Sequence, residues 1–593
     1  MRTLSSTFLL AGLLFGSFAA VAPRAARAQT AADALFFSQR QPATGARLTA
    51  LGGASIAGIG SYGSLYSNPA GLGYFDQSEV AGTFRTLLTT DEATYETFRA
   101  DGTSLGRGLS SQSQTDYGLG NGSLVYKVPT SQGSFVFGVG LNETRSFGRE
   151  LDFQNQNELS SVSDFFLPLN DEVSVQRFEP GSGPDELFFG QELVIAQDDT
   201  EYLVDFDPDG DGIINRPLSF AAFRTASSET LAIDFIPALF DAGVSGAEAF
   251  VPSMAPGPEA QFVQTGDISE DGALREVNLG SALEVSKGVM AGLSANISFG
   301  SYKLRSVFEE IDGGFNNGEN TFPVDVVSDD GVTTFNIRTL PLERIRLTRS
   351  LDSEFSGFSL RSGLSAEVSP NVRFGVSIET PTWYNISENT SFVLATIFDD
   401  QSISTYGDDP GENAGRTTFD YEVRTPWRLG AGLSAQGGGV RLMVDAVFVD
   451  WTQLRLSDED GRGTFDIENA IIEDTFDPVL NTRVGLEYTY QDLALRAGFA
   501  YQPSPVTYAE LSQSRFGTGS GLNLRGMDEV NDPSRSIFSA GIGYALRSGL
   551  ALDIAWAQER FHDRTLPYVA QNASFVNEEV VRNRVLLGLR YRF

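Results

Sequence analysis

The chain has 593 residues, about 64 kDa, with 77 Asp and Glu against 42 Lys and Arg, a formal charge of −35. It has no cysteine and a single histidine, His562, beside 62 glycines and 44 phenylalanines. This composition excludes disulfide, zinc-cluster and thiol chemistry, leaves little for histidine-based catalysis, and gives nucleic acid no basic footprint. No stretch beyond the N-terminal region reaches the run of apolar residues that a membrane helix needs. A membrane-spanning β-barrel stays open, because its strands are only half apolar.

In chain order, Met1-Arg2 is a short charged start, Phe8–Phe15 is an apolar run, and Ala26-Arg27-Ala28 is a small-residue cleavage site before Gln29. The pattern predicts a secretory signal peptide over residues 1–28, removed from a mature chain with a charge near −38. Residues 29–77 form strands poorly. Asn68-Pro69 is a helix start, since Asn caps and Pro suits the first helical position, and Gly71 and Gly73 are expected to stop or bend that helix within a turn. A compact plug with short helices is expected here.

From residue 78 the chain reads as hairpins with period-two alternation. Val372, Phe374, Val376 and Ile378 share one face, against Arg373, Gly375, Ser377 and Glu379. Val484, Leu486, Tyr488 and Tyr490 oppose Arg483, Gly485, Glu487 and Thr489 in the same way. Fourteen strands are expected, over 78–88, 120–129, 133–147, 278–286, 288–309, 344–369, 371–393, 417–436, 439–456, 481–490, 492–508, 535–547, 549–562 and 583–593. Their polar face mixes Arg and Glu with Gly, which suits a lumen crossed by ion pairs. Tight and long connections are expected to alternate strictly, the arrangement of outer-membrane barrels. The predicted fold is therefore an all-β, 14-stranded antiparallel transmembrane barrel in a bacterial outer membrane, with its last strand ending in the periplasm.

In that last strand Val585, Leu587, Leu589, Tyr591 and Phe593 share a face, while Arg584, Gly588, Arg590 and Arg592 take the other. Arginine on the lipid face costs about 2–4 kcal/mol at mid-bilayer, so the aromatics face lipid and the arginines face the lumen. Tyr591 and a terminal Phe593 with this alternation resemble the signal read by the outer-membrane barrel assembly machinery.

The segment ARLTALGGASIAGIGSYGSLYSNPAGLGYF resembles the N-terminal hatch of the FadL/TodX family of outer-membrane transporters of hydrophobic molecules, with Asn68-Pro69-Ala70 matching the hatch motif. TPWRLGAGLSA (425–435), VDWTQLRL (449–456) and LALRAGFAYQPSP (493–505) resemble its later strands; no resemblance is visible in 148–277. The resemblance implies a hatch over 29–77, with Asn68, Pro69, Ala70, Gly71 and Leu72 at the gate, inside a barrel over 78–593. It implies passive inward passage of long-chain fatty acids or similar hydrophobic ligands through a monomeric barrel among outer-membrane lipids. It also implies a kink in the third strand that opens a sideways exit. Gly138, Gly140 and Asn142 are the candidates, against a plain reading as small lumen-facing residues.

Residues 148–277 are expected as a large acidic outer loop; from 150 on it holds 26 Asp and Glu against four Arg. Within it Asp207, Asp209, Asp211 and Asn215, with Gly212 between, match an EF-hand-type loop, but Leu218 stands where the bidentate Glu belongs. A bound Ca²⁺ and a solvated acidic turn both remain open, and no other cofactor is implied. Residues 217–240 carry two amphipathic helical patterns. An enzyme is not expected, since only His562 could serve a serine nucleophile. The alternative function is that of a barrel component of a protein secretion system that collects cargo at the cell surface, with the acidic loop as its docking element.

Overall fold

The computed structural model describes residues 30–162, 262–312, 342–398, 401–407, 415–458, 465–506, 533–568 and 573–593, apart from 59, 100, 402, 547 and 548. It also describes the backbone of five short strands, at 174–178, 192–197, 200–205, 323–327 and 334–338. Asp207, Asp209, Asp211, Asn215 and the amphipathic patterns of 217–240 lie outside the described residues, as does the signal segment 1–28.

The barrel strands are β1 (Glu79–Phe98), β2 (Ser104–Val128), β3 in two runs (Phe135–Ser146 and Arg149–Asn157), β4 (Phe262–Ser286), β5 (Val289–Asp312) and β6 (Leu342–Ser369). Next come β7 (Val372–Glu379 and Trp383–Phe398), β8 (Arg416–Arg424 and Arg428–Gly437), β9 (Val440–Asp450 and Arg455–Asp458) and β10 (Pro478–Tyr490). The last four are β11 (Leu493–Gln502), β12 (Arg535–Ala545), β13 (Leu550–Thr565) and β14 (Val576–Arg592). Each pairs antiparallel with its sequence neighbours, and β1 pairs with β14 from Glu79↔Arg592 to Tyr95↔Val576, so the sheet closes. Closure leaves no sheet edge at the junction of the chain ends.

The alternation sorts the side chains as the sequence requires. Val585, Leu587, Leu589, Tyr591 and Phe593 are 45–58% exposed, whereas Leu586 and Arg582 are buried. The same outward apolar row continues around the wall, for example through Phe84, Leu124, Leu293, Leu364, Leu433, Leu486 and Ile542. It is bordered by aromatics: Tyr117, Phe299, Trp383, Trp427 and Trp556 on one margin, and Tyr126, Tyr488, Tyr544 and Tyr591 on the other. A continuous exposed apolar belt between aromatic margins is stable only in hydrocarbon. No helix among the described residues is long and apolar enough to cross a membrane.

Three expectations need correction. The first two strands do not stop at 88 and begin at 120. They form one hairpin up to Phe98↔Ser104, closed by the short turn 99–103, so tight and long connections do not alternate strictly. Above the belt the outward positions become Thr90, Glu92, Ser111 and Ser113, and the apolar alternation that marks a strand fades although the ladder continues. The expected loop 148–277 is likewise strand at both ends, over Arg149–Asn157 and from Phe262 onward. Third, β7 and β8 each break, at Pro381 and Pro426, where proline removes a ladder donor, yet both of their runs stay paired in the wall.

Candidate functional site: a plugged lumen and a break in its wall

Residues 30–77 lie inside the barrel. Their helices are α1 (Ala31–Ser38), α2 (Ala46–Thr49), α3 (Ser64–Ser67) and a 3-10 helix, Pro69–Tyr74. A capping box starts α1: the Asp33 carboxylate accepts from Thr30 N–H at 2.8 Å, and Thr30 Oγ1 accepts from Asp33 N–H. Asn68 caps the 3-10 helix by accepting from Ala70 N–H at 3.0 Å, with Pro69 at the first position. Gly71 and Gly73 do not stop that helix, which runs through both to Tyr74; they leave room for Ser64 and Met290, which a Cβ at Gly71 or Gly73 would strike.

The wall makes room for the plug with glycine. Gly138 and Gly280, hydrogen-bonded neighbours on β3 and β4, both face Leu65; Gly292 faces Pro69-Ala70, and Gly363, paired with it, faces Asn68. Gly375 and Gly432 face Ile56-Ala57, Gly485 faces Leu51, Gly498 faces Gly52, and Gly541 faces Ala50. Much of the lumen is thus lined at one level by positions where plug backbone touches wall backbone, the close approach that only glycine permits.

Polar side chains fasten this packing. Fully buried Asn68 donates through Nδ2 to the carbonyls of Ile56 (2.7 Å), Leu364 (3.2 Å) and Val376 (3.2 Å), joining plug to β6 and β7. The Asp445 carboxylate of β9 accepts from the N–H groups of Ser55 (2.6 Å) and Ile56 (2.9 Å). Arg47 pairs with Glu487 at 3.0 Å, and Glu487 also holds Arg496, which reaches Asp553 at 2.6 Å. Arg40 pairs with Glu379 at 2.7 Å and Glu276 at 3.2 Å; Arg361 engages the same two acids and donates to Leu65 O at 2.8 Å. Burial alone would lower the Arg40 pKa, but Glu379, Tyr66 and Glu276 raise it well above its ordinary value, so Arg40 is charged at any physiological pH.

The break in β3 falls at Phe147-Gly148, after a register shift between Glu143 and Arg145. This displaces the expected kink. Gly138 and Gly140 stand in a regular ladder with β2 and serve the packing of Leu65, and Asn142 is the last residue of that ladder, bonded through Nδ2 to Asn278 at 2.7 Å. Past the break the second run of β3 keeps its ladder with β4 but moves onto the lumen side of the first hairpin. There Thr89 Oγ1 donates to Gly148 O, Asn155 Nδ2 to Tyr95 O, and Arg149 to Asp91. The edge of β2 from Ser104 to Gly120 consequently pairs only with β1 among the described residues, leaving a seam that begins in the upper part of the apolar belt.

The break is tied to the plug. Phe147 stacks on Phe36 of α1 (5.4 Å between centroids) and meets Tyr302 edge-on (5.1 Å). Arg145 lies 4.2 Å over the Phe36 ring and donates to Phe36 O; Gln41 N–H donates to Thr144 O at 2.9 Å. Between α1 and the wall lies a cavity of about 320 Å³, within the ordinary range of small-molecule sites. Phe36, Phe37, Leu351, Tyr302, Phe561 and Phe575 give it apolar walls, and the charged Asp33, Arg149, Glu270, Arg349, Glu388, Arg535 and Arg564 complete them. His562 and Asp563 also line it, at the outer end of β13. The helix α4 (Asp466–Thr475) and Phe465 close over the same apolar cluster as α1.

Tyr591 and Phe593 stack on each other outside the barrel, 6.1 Å apart, while Arg590 and Arg592 turn inward toward Asp553 and Glu79. Sequence reasoning placed the alternation of this strand and the glycines of the inward face. It missed Glu276, Glu379, Asp445 and Glu487 as fasteners of the plug; the only signal they carried was an acid on the inward face of a strand.

Closed wall, apolar belt and lodged N-terminal segment together define a plugged transmembrane β-barrel. No family model matches the sequence, and no curated protein does. Among solved structures the chain is similar to a Pseudomonas aeruginosa FadL homologue (10% identity, 93% of this chain, 99% of that one, TM-score 0.47). It is also similar to the Pseudomonas putida toluene transporter TodX (13%, 93%, 99%, 0.45) and to the Ralstonia pickettii toluene transporter TbuX (12%, 93%, 99%, 0.43).

Proposed function

We propose that this chain is an outer-membrane transporter of the FadL/TodX kind, which passes long-chain fatty acids or similar hydrophobic molecules inward by hatch-gated diffusion. The observation that carries this reading is the apolar cavity walled by Phe36 and Phe37 of the plug, whose neighbour Phe147 sits at the break in β3. A ligand entering that cavity gains about 0.8 kcal/mol for each methylene buried. It competes with Phe147 for the faces of Phe36 and Phe37, so its arrival loosens the contact that holds the second run of β3 inward. The seam beside β2 then offers an exit into hydrocarbon, and no energy source is needed beyond the gradient. Arg361, Glu276, Glu379 and Asp445 keep the rest of the plug seated meanwhile, which blocks water and ions. None of the described residues favours the cargo-docking alternative.

The test is mass spectrometry of lipids that co-purify with the folded barrel, followed by binding of a fluorescent long-chain fatty acid. Long-chain amphiphiles in the purified protein, displaced by added fatty acid, are expected. A barrel that carries none and binds none overturns the reading.

A further inference from the structure

We propose that a second, smaller pocket beside the plug holds the head group of the transported molecule, and that this head group is a dianion of the phosphate-monoester class. The inference rests on the transport reading above and specifies its ligand. The pocket, about 50 Å³, lies between Gln39–Gln41 of the plug and the wall, and shares Gln39, Ser504, Pro533 and Arg535 with the apolar cavity. Its charged lining is six arginines, Arg40, Arg145, Arg428, Arg535, Arg582 and Arg584, against one acid, Glu559.

Several buried arginines elsewhere in the lumen meet two or three carboxylates each: Arg149 engages Asp91, Glu270 and Glu578, Arg361 engages Glu276 and Glu379, and Arg496 engages Glu487 and Asp553. In this pocket Arg40 is paired with Glu379 and Glu276, and Arg535 with Glu559 at 3.0 Å; the other four arginines have no carboxylate within ion-pair distance among the described residues. Arg145 and Arg428 donate instead to neutral carbonyls of the plug, those of Phe36 and Ser38. The Nε atoms of Arg145, Arg582 and Arg584 are buried without any hydrogen-bond acceptor, and Arg145 and Arg582 are more than nine-tenths buried. Guanidinium does not shed its proton, so the charge persists.

A chain of net charge −35 that gathers four lumenal arginines without carboxylate partners into one pocket has built an anion site. Four of its arginines lack a carboxylate partner among the described residues. A carboxylate supplies one negative charge, whereas a phosphate monoester supplies nearly two and three acceptor oxygens, which suits the paired N–H groups of guanidinium. The Phe561 ring joins the two pockets: Arg535 lies 4.1 Å over it and Arg582 5.2 Å, while its rim lines the apolar cavity where the tail would lie.

The experiment measures binding of dodecyl phosphate, dodecanoate and dodecanol to the full-length barrel in a non-ionic detergent at pH 8. Dodecyl phosphate is expected to bind at least about tenfold tighter than dodecanol, with dodecanoate between them. Inorganic phosphate should displace dodecyl phosphate and leave dodecanol bound. Arg582→Gln with Arg584→Gln should abolish the preference while dodecanol affinity holds, and Arg560→Gln, on the outer face, should change nothing. Dodecanol bound as tightly as dodecyl phosphate, or phosphate failing to compete, overturns the head-group site and leaves the transport reading standing. Failure of all three to bind overturns the transport reading as well.

Discussion

At the residue scale the plug is seated by contacts that tolerate no added volume. A Cβ on Gly485 would stand 2.7 Å from Leu51 O and 3.2 Å from Leu51 Cβ, and the first of these is backbone that cannot swing away. Gly485→Ala should therefore weaken plug seating by about 1–3 kcal/mol while the wall ladder, which needs no glycine there, persists. Trypsin cleavage at Arg47 in the purified barrel reads the first effect, and the heat-dependent gel shift of the closed barrel reads the second. Cleavage should quicken with no change in the shift. Glu487 makes a different point, because it neutralises Arg47 of the plug and Arg496 of the wall together. Glu487→Gln should cost about 3–5 kcal/mol by leaving Arg47 buried without its partner. Adding Arg47→Met should restore much of that loss, so a double-mutant cycle by chemical denaturation gives a coupling of opposite sign to the single effects; strict additivity would deny the latch. These roles were only half legible. The inward position of Gly485 and Glu487 follows from alternation with Val484, Leu486 and Tyr488, but their partners Leu51 and Arg47 lie more than four hundred residues away in sequence, and no local pattern encodes that meeting.

At the element scale the third strand and the first hairpin show where pattern reading succeeds and where it stops. Within the belt one face of a strand must be apolar, so β13 and β14 are legible residue by residue. Above it the outward face of β1 and β2 turns polar, hydrocarbon no longer demands apolar residues there, and the ladder extends unseen to Phe98 and Ser104. The break in β3 was sought at its glycines, yet glycine there answers the plug. The bend sits at Phe147-Gly148, where the aromatic ring has left the wall to join Phe36, Phe37 and Tyr302. Aromatic pairs of this kind contribute about 0.5–1.5 kcal/mol each beyond their burial. Phe36→Ala combined with Phe37→Ala should thus release the bend. Amide hydrogen exchange in 144–148, where Phe147 N–H donates to Gly272 O at 2.9 Å, is expected to speed up about tenfold or more, with β10 and β11 unchanged. Unchanged protection at 144–148 would show that α1 does not hold the break.

At the scale of the whole molecule the outward belt and the inward arginines fix one register for the wall, and a shift of a single residue would exchange them. The last strand carries the strictest version of this constraint: Leu587 stands in the middle of the belt, paired with Ile554 on β13 and Phe84 on β1, while Tyr591 stands at its margin opposite Leu550 and Val80. Substituting the same cation at the two positions separates hydrocarbon from interface. Leu587→Arg should lower stability in lipid vesicles by about 2–4 kcal/mol, because the guanidinium has no water at that depth, and Tyr591→Arg by about 0–1 kcal/mol, because it reaches the head groups. Reversible unfolding in urea, followed by tryptophan fluorescence of Trp556 and its fellows at the belt margin, measures both. Equal losses would mean that the outer face meets no hydrocarbon, and the closed wall would then need another explanation for its exposed leucines.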